Sequence, residues 1–170
     1  MHQTSLLLVD PENLRSYLSQ QAIATFNVML RMTLEPLDPG QPIAQPVEHL
    51  VGVVGFAGPK VAGTLALTVS PAHARSMAGS FLGFGPGESV DEAVVSDVLG
   101  EVGNMICGNL VSWLAKRSLD TELGLPTVTL SPKLHFKTAA NALFERLCFL
   151  EGDHPVLLEL QICAKPSPQT

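Results

Sequence analysis

The chain has 170 residues, with 10 Lys and Arg against 16 Asp and Glu, a formal net charge of −6, and only 15% of its residues are charged. An average globular protein is ~25% charged; an acidic, charge-poor chain lacks the positive field that a phosphate backbone requires, which argues against nucleic-acid binding. The 46% of apolar residues exceeds what a disordered chain carries, no apolar run approaches the ~18 residues of a membrane span, and the length is that of one domain with its own core.

No basic segment precedes Leu6-Leu7-Leu8-Val9, so no secretory leader is expected. Three cysteines, Cys107, Cys148 and Cys163, without a Cys-x-x-Cys spacing fit buried thiols in a reducing cytoplasm. The low charge points to apolar surface covered by a partner.

Asp10-Pro11-Glu12-Asn13 predicts a helix start, with Asp10 as N-cap and Pro11 at the first helical position. Leu14, Tyr17, Leu18, Ile23, Phe26, Met29 and Leu30 keep the helical period to about Met32. The Pro- and Gly-rich stretch Glu35 to Pro46 reads as a surface loop. Strands are expected over His49 to Phe56 and Val61 to Val69, joined at Ala57-Gly58-Pro59-Lys60. Ser70-Pro71 opens a second helix running to about Leu82. The cluster Gly83 to Gly87 ends it; a helix precedes it and its spacing is not that of a dinucleotide loop.

The longest helical pattern runs from about Ser89 to Lys116, with Lys116-Arg117 at the negative end of the helix dipole. Three strands follow, Thr127 to Phe136, Leu143 to Glu151 and Pro155 to Cys163, the last two joined by a tight turn at Gly152-Asp153. Residues 165–170 read as a flexible tail behind one domain spanning 1–164. The order predicts an α+β fold, a mainly antiparallel sheet packed against long helices.

Chemistry is sparse. His2, His49, His73, His135 and His154 are scattered, with no metal-ligand spacing, and no Gly-x-Ser-x-Gly elbow is present. The long helix is more informative. Val94, Val95, Val98, Leu99, Val102, Met105 and Ile106 fall on one apolar face. Asp97, Glu101, Asn104 and Gly108 line up as a bordering stripe, with Glu101 and Asn104 one turn apart. Gly100, Gly103 and Gly108 each cost roughly 1 kcal/mol relative to alanine inside a helix, which implies close approach of another backbone. The stripe also fits an ordinary solvated helix edge whose glycines admit a neighbouring element of the same chain. Asn109 falls on the apolar face and reads as a structural polar anchor.

Ser96-Asp97-Val98-Leu99-Gly100-Glu101-Val102-Gly103-Asn104-Met105-Ile106-Cys107-Gly108-Asn109 resembles the signature helix of the CheC/CheX/FliY chemotaxis phosphatases. That family carries Asp or Ser, then Glu four residues on, Asn three after that, and a proline at a set distance. Asp97, Glu101 and Asn104 match in order, and Pro126 lies one residue short of that distance. The element order is similar to the family's across roughly residues 11 to 164. The first helix holds no second motif, since Ala24 stands where Asn27 would need a Glu; a single copy resembles the CheX-like branch.

The resemblance implies a protein phosphatase that hydrolyses the aspartyl phosphate of a CheY-type receiver domain. It gives Asn104 the placing of the attacking water and Glu101 a contact with the receiver's active-site Lys. Asp97 and Pro126 take supporting parts, and Gly100, Gly103 and Gly108 let the receiver's loops approach. The chain itself would bind no cofactor, the Mg²⁺ coming with the receiver, and a cytoplasmic homodimer is implied. A non-enzymatic receiver-binding or flagellar-switch adaptor is the alternative on the same fold, and a small-molecule sensor a more distant one.

Overall fold

Asp10 starts the first helix as expected: its carboxylate accepts the Glu12 backbone N–H at 3.1 Å, and Pro11 opens α1 (Pro11–Leu30) without wasting a donor. The helix stops short of Met32 because Arg31 turns left-handed (φ 54°), so that the Arg31 and Met32 N–H groups close on the carbonyls of Asn27 and Phe26. This is a computed structural model, and it describes residues 9–38, 41, 47–85, 88–131, 139 and 141–166.

The predicted loop after α1 contains a short edge strand, β1 (Glu35–Pro36), paired with Leu150 and Phe149. Pro36 has no N–H to offer, which suits it only to an edge. Next come β2 (His49–Ala57) and β3 (Val61–Val69), in register from Leu50↔Val69 to Ala57↔Ala62. Ser70 caps α2 (Pro71–Leu82) by accepting the His73 N–H. The third helix, α3 (Glu92–Ala115), begins later than Ser89 because Asp91 is the N-cap, accepting the Ala93 N–H at 2.8 Å. Lys116 and Arg117 lie just beyond the helix, and the Arg117 guanidinium donates to the Trp113 carbonyl while lying over its ring.

The chain then forms β4 (Glu122–Leu123), β5 (Thr127–Ser131), β6 (Ala142–Glu151) and β7 (His154–Ala164). The predicted extension of β5 to Phe136 lies outside the described residues. Gly152 (φ 55°) opens the two-residue turn that sets Glu151 against His154. Lys165, expected in the tail, still donates its N–H to the Lys60 carbonyl; residues 167–170 lie outside the described residues.

All strand pairs are antiparallel, in the order β1-β6-β7-β3-β2-β4, with β5 also on β2 beside β4. The two halves of the chain, α1-β1-β2-β3 and α3-β5-β6-β7, meet at the β3–β7 pair and exchange their first strands, β1 pairing with β6 and β5 with β2. The sheet face carrying Val54, Leu65, Leu67, Leu158 and Leu160 meets Leu14, Leu18, Phe26, Met77, Leu99 and Leu110 from the helices in one core. Arg15 holds α1 to that face, bonding Glu145 at 2.9 Å and the Arg146 carbonyl at 3.1 Å. The opposite face carries Arg146 directly across from Glu159, ion-paired at 2.6 Å. Among the described residues no helix is long and apolar enough to cross a membrane.

Candidate functional site

The packing of α3 on β2 and β3 decides which of its residues face solvent. Val95, Val98, Leu99, Val102, Ile106 and Leu110 are buried beneath it. Rotation of about 100° per residue then brings Asp97, Glu101 and Asn104 to the margin of that face. Asp97 and Glu101 are exposed and Asn104 is half-buried. A carboxylate and a neutral amide are thereby presented together, one turn apart, on a rigid helix.

Met105 departs from expectation. It is not part of the buried face but lies exposed, next to Asn104 and one turn beyond Glu101. The face narrows here because Gly103 and Cys107 carry the inward positions on either side. Cys107 is fully buried, and burial pushes its thiol up to about 12, so it packs the core and offers no nucleophile.

The space at the three glycines is taken by the chain's own strands. A Cβ on Gly100 would lie 3.3 Å from Pro126 Cβ, one on Gly103 3.5 Å from Val54 Cγ2, and one on Gly108 3.6 Å from Leu123 Cδ1. Of these glycines, which the resemblance gives to the approach of a receiver's loops, Gly100 and Gly103 are buried and Gly108 half-buried, and each faces β5, β2 or β4 of its own chain. Pro126 is exposed at the head of β5, where it abuts the helix below Glu101.

Asn109 is half-buried, and its anchoring bond runs through the backbone: the Tyr17 hydroxyl donates to its carbonyl at 3.0 Å. Tyr17 also stacks on Trp113, tying α1 to α3. His154 is exposed at the start of β7, while His73 is buried against it. His2 and His135 lie outside the described residues. No group of three or more His, Cys, Asp or Glu among the described residues is placed to hold a metal ion.

Sequence alone assigns nothing to Leu123 and Leu125. Both are exposed, on the segment that the glycines admit alongside α3. Their setting depends on which strand edge the segment joins, for which a two-residue strand leaves no local signal.

No match was found among curated proteins. Several solved structures share the fold. The chemotaxis protein CheX from Vibrio vulnificus is 21% identical with a TM-score of 0.71, the alignment covering 90% of this chain and 98% of that one. A CheC-like superfamily protein from Shewanella sp. PV-4 is 20% identical with a TM-score of 0.72, over 88% of this chain and 97% of that one. The CheX of a CheX–CheY–BeF3–Mg²⁺ complex from Borrelia burgdorferi is 18% identical with a TM-score of 0.64, over 89% and 97%. Residues 50–144, from the first core strand through α3 to β6, match the family model described as chemotaxis phosphatase CheX. With the motif helix inside that match, the chain belongs to the CheX family of chemotaxis phosphatases.

Proposed function

We propose that this chain accelerates hydrolysis of the aspartyl phosphate of a CheY-type receiver domain, using Asn104 and Glu101. The observation that carries the reading is the presentation of exposed Glu101 and half-buried Asn104 one turn apart on α3, within a CheX-family fold. The complex of the Borrelia relative with CheY supports the class of partner.

An acyl phosphate is already reactive, so the task is to place water in line with phosphorus. The Asn104 amide can hold that water without repelling the phosphoryl oxygens, as a carboxylate would. Glu101 therefore has a different task, accepting the ammonium of the receiver's active-site Lys. That charge-assisted contact gains strength once the interface excludes water. Asp97, a turn before Glu101 and exposed, supports docking, and Pro126 fixes the path of the chain below them. The Mg²⁺ belongs to the receiver's phosphorylation site. A cytoplasmic location follows from such a partner, and the exposed β5 offers an edge for pairing with a second copy.

The test is the rate of phosphate loss from a CheY-type receiver phosphorylated by acetyl phosphate. Wild type should accelerate it, and Asn104→Ala should remove the acceleration by about 10²-fold or more with an unchanged circular dichroism spectrum. Glu101→Ala should weaken receiver binding as well as rate. An Asn104→Ala protein working at the wild-type rate overturns the mechanism. Wild type that binds the receiver without speeding phosphate loss is the adaptor.

A further inference from the structure

The stretch between β4 and β5 runs beside the motif stripe in the opposite direction. Leu123 lies over Gly108 and Pro126 over Gly100. The two glycines are two helical turns apart, about 12 Å at 1.5 Å per residue. Three residues of extended chain cover about 10 Å. The chain from Leu123 to Pro126 thus spans the same length of helix, and Leu125 stands between, beside the turn that carries Asn104.

Leu125 is 91% exposed, Leu123 39% and Met105 38%. Leu125 is fixed at both ends: Gly124 donates its N–H to the Gly55 carbonyl at 2.7 Å, and Pro126 abuts α3. An almost wholly exposed leucine on an anchored backbone keeps its entire apolar side chain in water, which is unfavourable relative to burial. Burial by something outside this chain relieves that cost. Apolar side chains rimming a polar pair also exclude water from it, which strengthens the contacts of Glu101 and Asn104.

We propose that Leu125, with Leu123 and Met105, forms the apolar ridge on which the receiver domain seats, and sets which receiver this chain accepts. The proposal rests on the reading of Glu101 and Asn104 as the receiver-facing pair, and it assigns affinity to one side of the site and chemistry to the other. The occupant is a protein face with apolar side chains beside its phosphorylation site. Continuity with the motif stripe distinguishes this ridge from Val28, which is 77% exposed on α1.

The experiment measures binding to a beryllofluoride-activated CheY-type receiver, and separately turnover of the phosphorylated receiver. Leu125→Ser should weaken binding about tenfold or more and raise KM, with kcat at saturating receiver unchanged. Leu125→Met should restore binding, and Val28→Ser should leave it as in wild type. Unchanged binding in both Leu125→Ser and the Leu123→Ser/Leu125→Ser double variant overturns the ridge. So does equal weakening by Val28→Ser, which would mark a general stickiness. Asn104→Ala in the same assays should lose turnover while binding is kept. Should it keep turnover, the assigned chemistry fails whatever Leu125 does.

Discussion

His73 is buried to 0% exposure, and among the described residues neither ring nitrogen has a hydrogen-bond partner. It faces His154 of β7, stacked with ring centroids 4.7 Å apart, and the Glu151 carboxylate of β6 at 3.8 Å. Burial, with His154 beside it, lowers its pKa to about 4 from an ordinary 6.5. The unfolded chain therefore takes up this proton below pH 6.5, and the folded one only near pH 4. Between those values the unfolded state binds more protons, so stability falls as pH falls, by about 1.4 kcal/mol per unit at the steepest. His73→Phe keeps a flat ring for the stack and removes the titration. Urea unfolding at pH 7 and pH 5 should show a smaller loss of stability on acidification in His73→Phe than in wild type. An equal loss would place the acid sensitivity elsewhere. Sequence offers no sign of this pair, since the two histidines meet only when the α2 start and the β6–β7 turn come together.

The glycines of α3 belong to the scale of elements, because each is a strand's point of approach. At Gly103 and Gly108 an added methyl would meet Val54 and Leu123 at 3.5 and 3.6 Å, ordinary contact distances. Alanine there should gain helix propensity, up to ~1 kcal/mol each, and raise Tm by about 2–4 °C. At Gly100 the methyl would stand 3.3 Å from Pro126 Cβ, so the head of β5 must give way. Gly100→Ala should therefore gain less in Tm than the other two and reduce activity, as thermal melts and receiver turnover would show. The helices were legible because capping residues and apolar periods are local: Asp10, Pro11, Ser70 and Pro71 stand where the sequence places them. The long hairpins β2–β3 and β6–β7 were legible for the same reason. β1 and β4, two residues each, were not, because their pairing is fixed by the strand they reach and not by their composition. Within the candidate site, helical spacing alone puts Glu101 and Asn104 together. It misplaced Met105, whose position at the margin of the apolar face is settled by how deeply α3 sinks onto β2.

At the scale of the whole molecule, the two halves repeat one plan but not one chemistry. On α1 the one asparagine that could close such a motif is Asn27, and Ala24 stands where it would need a Glu. Alanine there supplies no carboxylate for a lysine, so one receiver site per chain is the expected arrangement. The net charge of −6 bears on how that one site is found. An acidic protein gains no steering toward a partner whose phosphorylation site is also acidic; the long-range field opposes the encounter and is screened beyond a Debye length of about 8 Å at physiological salt. The contacts at the site respond differently. The proposed Glu101–lysine pair would be desolvated once docked and so weakly screened, and the proposed ridge of Leu123, Leu125 and Met105 is not electrostatic. Raising salt should then relieve the repulsion more than it weakens the docked complex. With a net-acidic receiver, kcat/KM should rise by a few-fold as ionic strength goes from about 10 mM to about 150 mM, where the Debye length shrinks from about 30 Å to about 8 Å. Stopped-flow association with the activated receiver should show the change in the on-rate, with the off-rate nearly constant. A steep fall of kcat/KM over the same range would mean that charge, not the apolar ridge, governs docking.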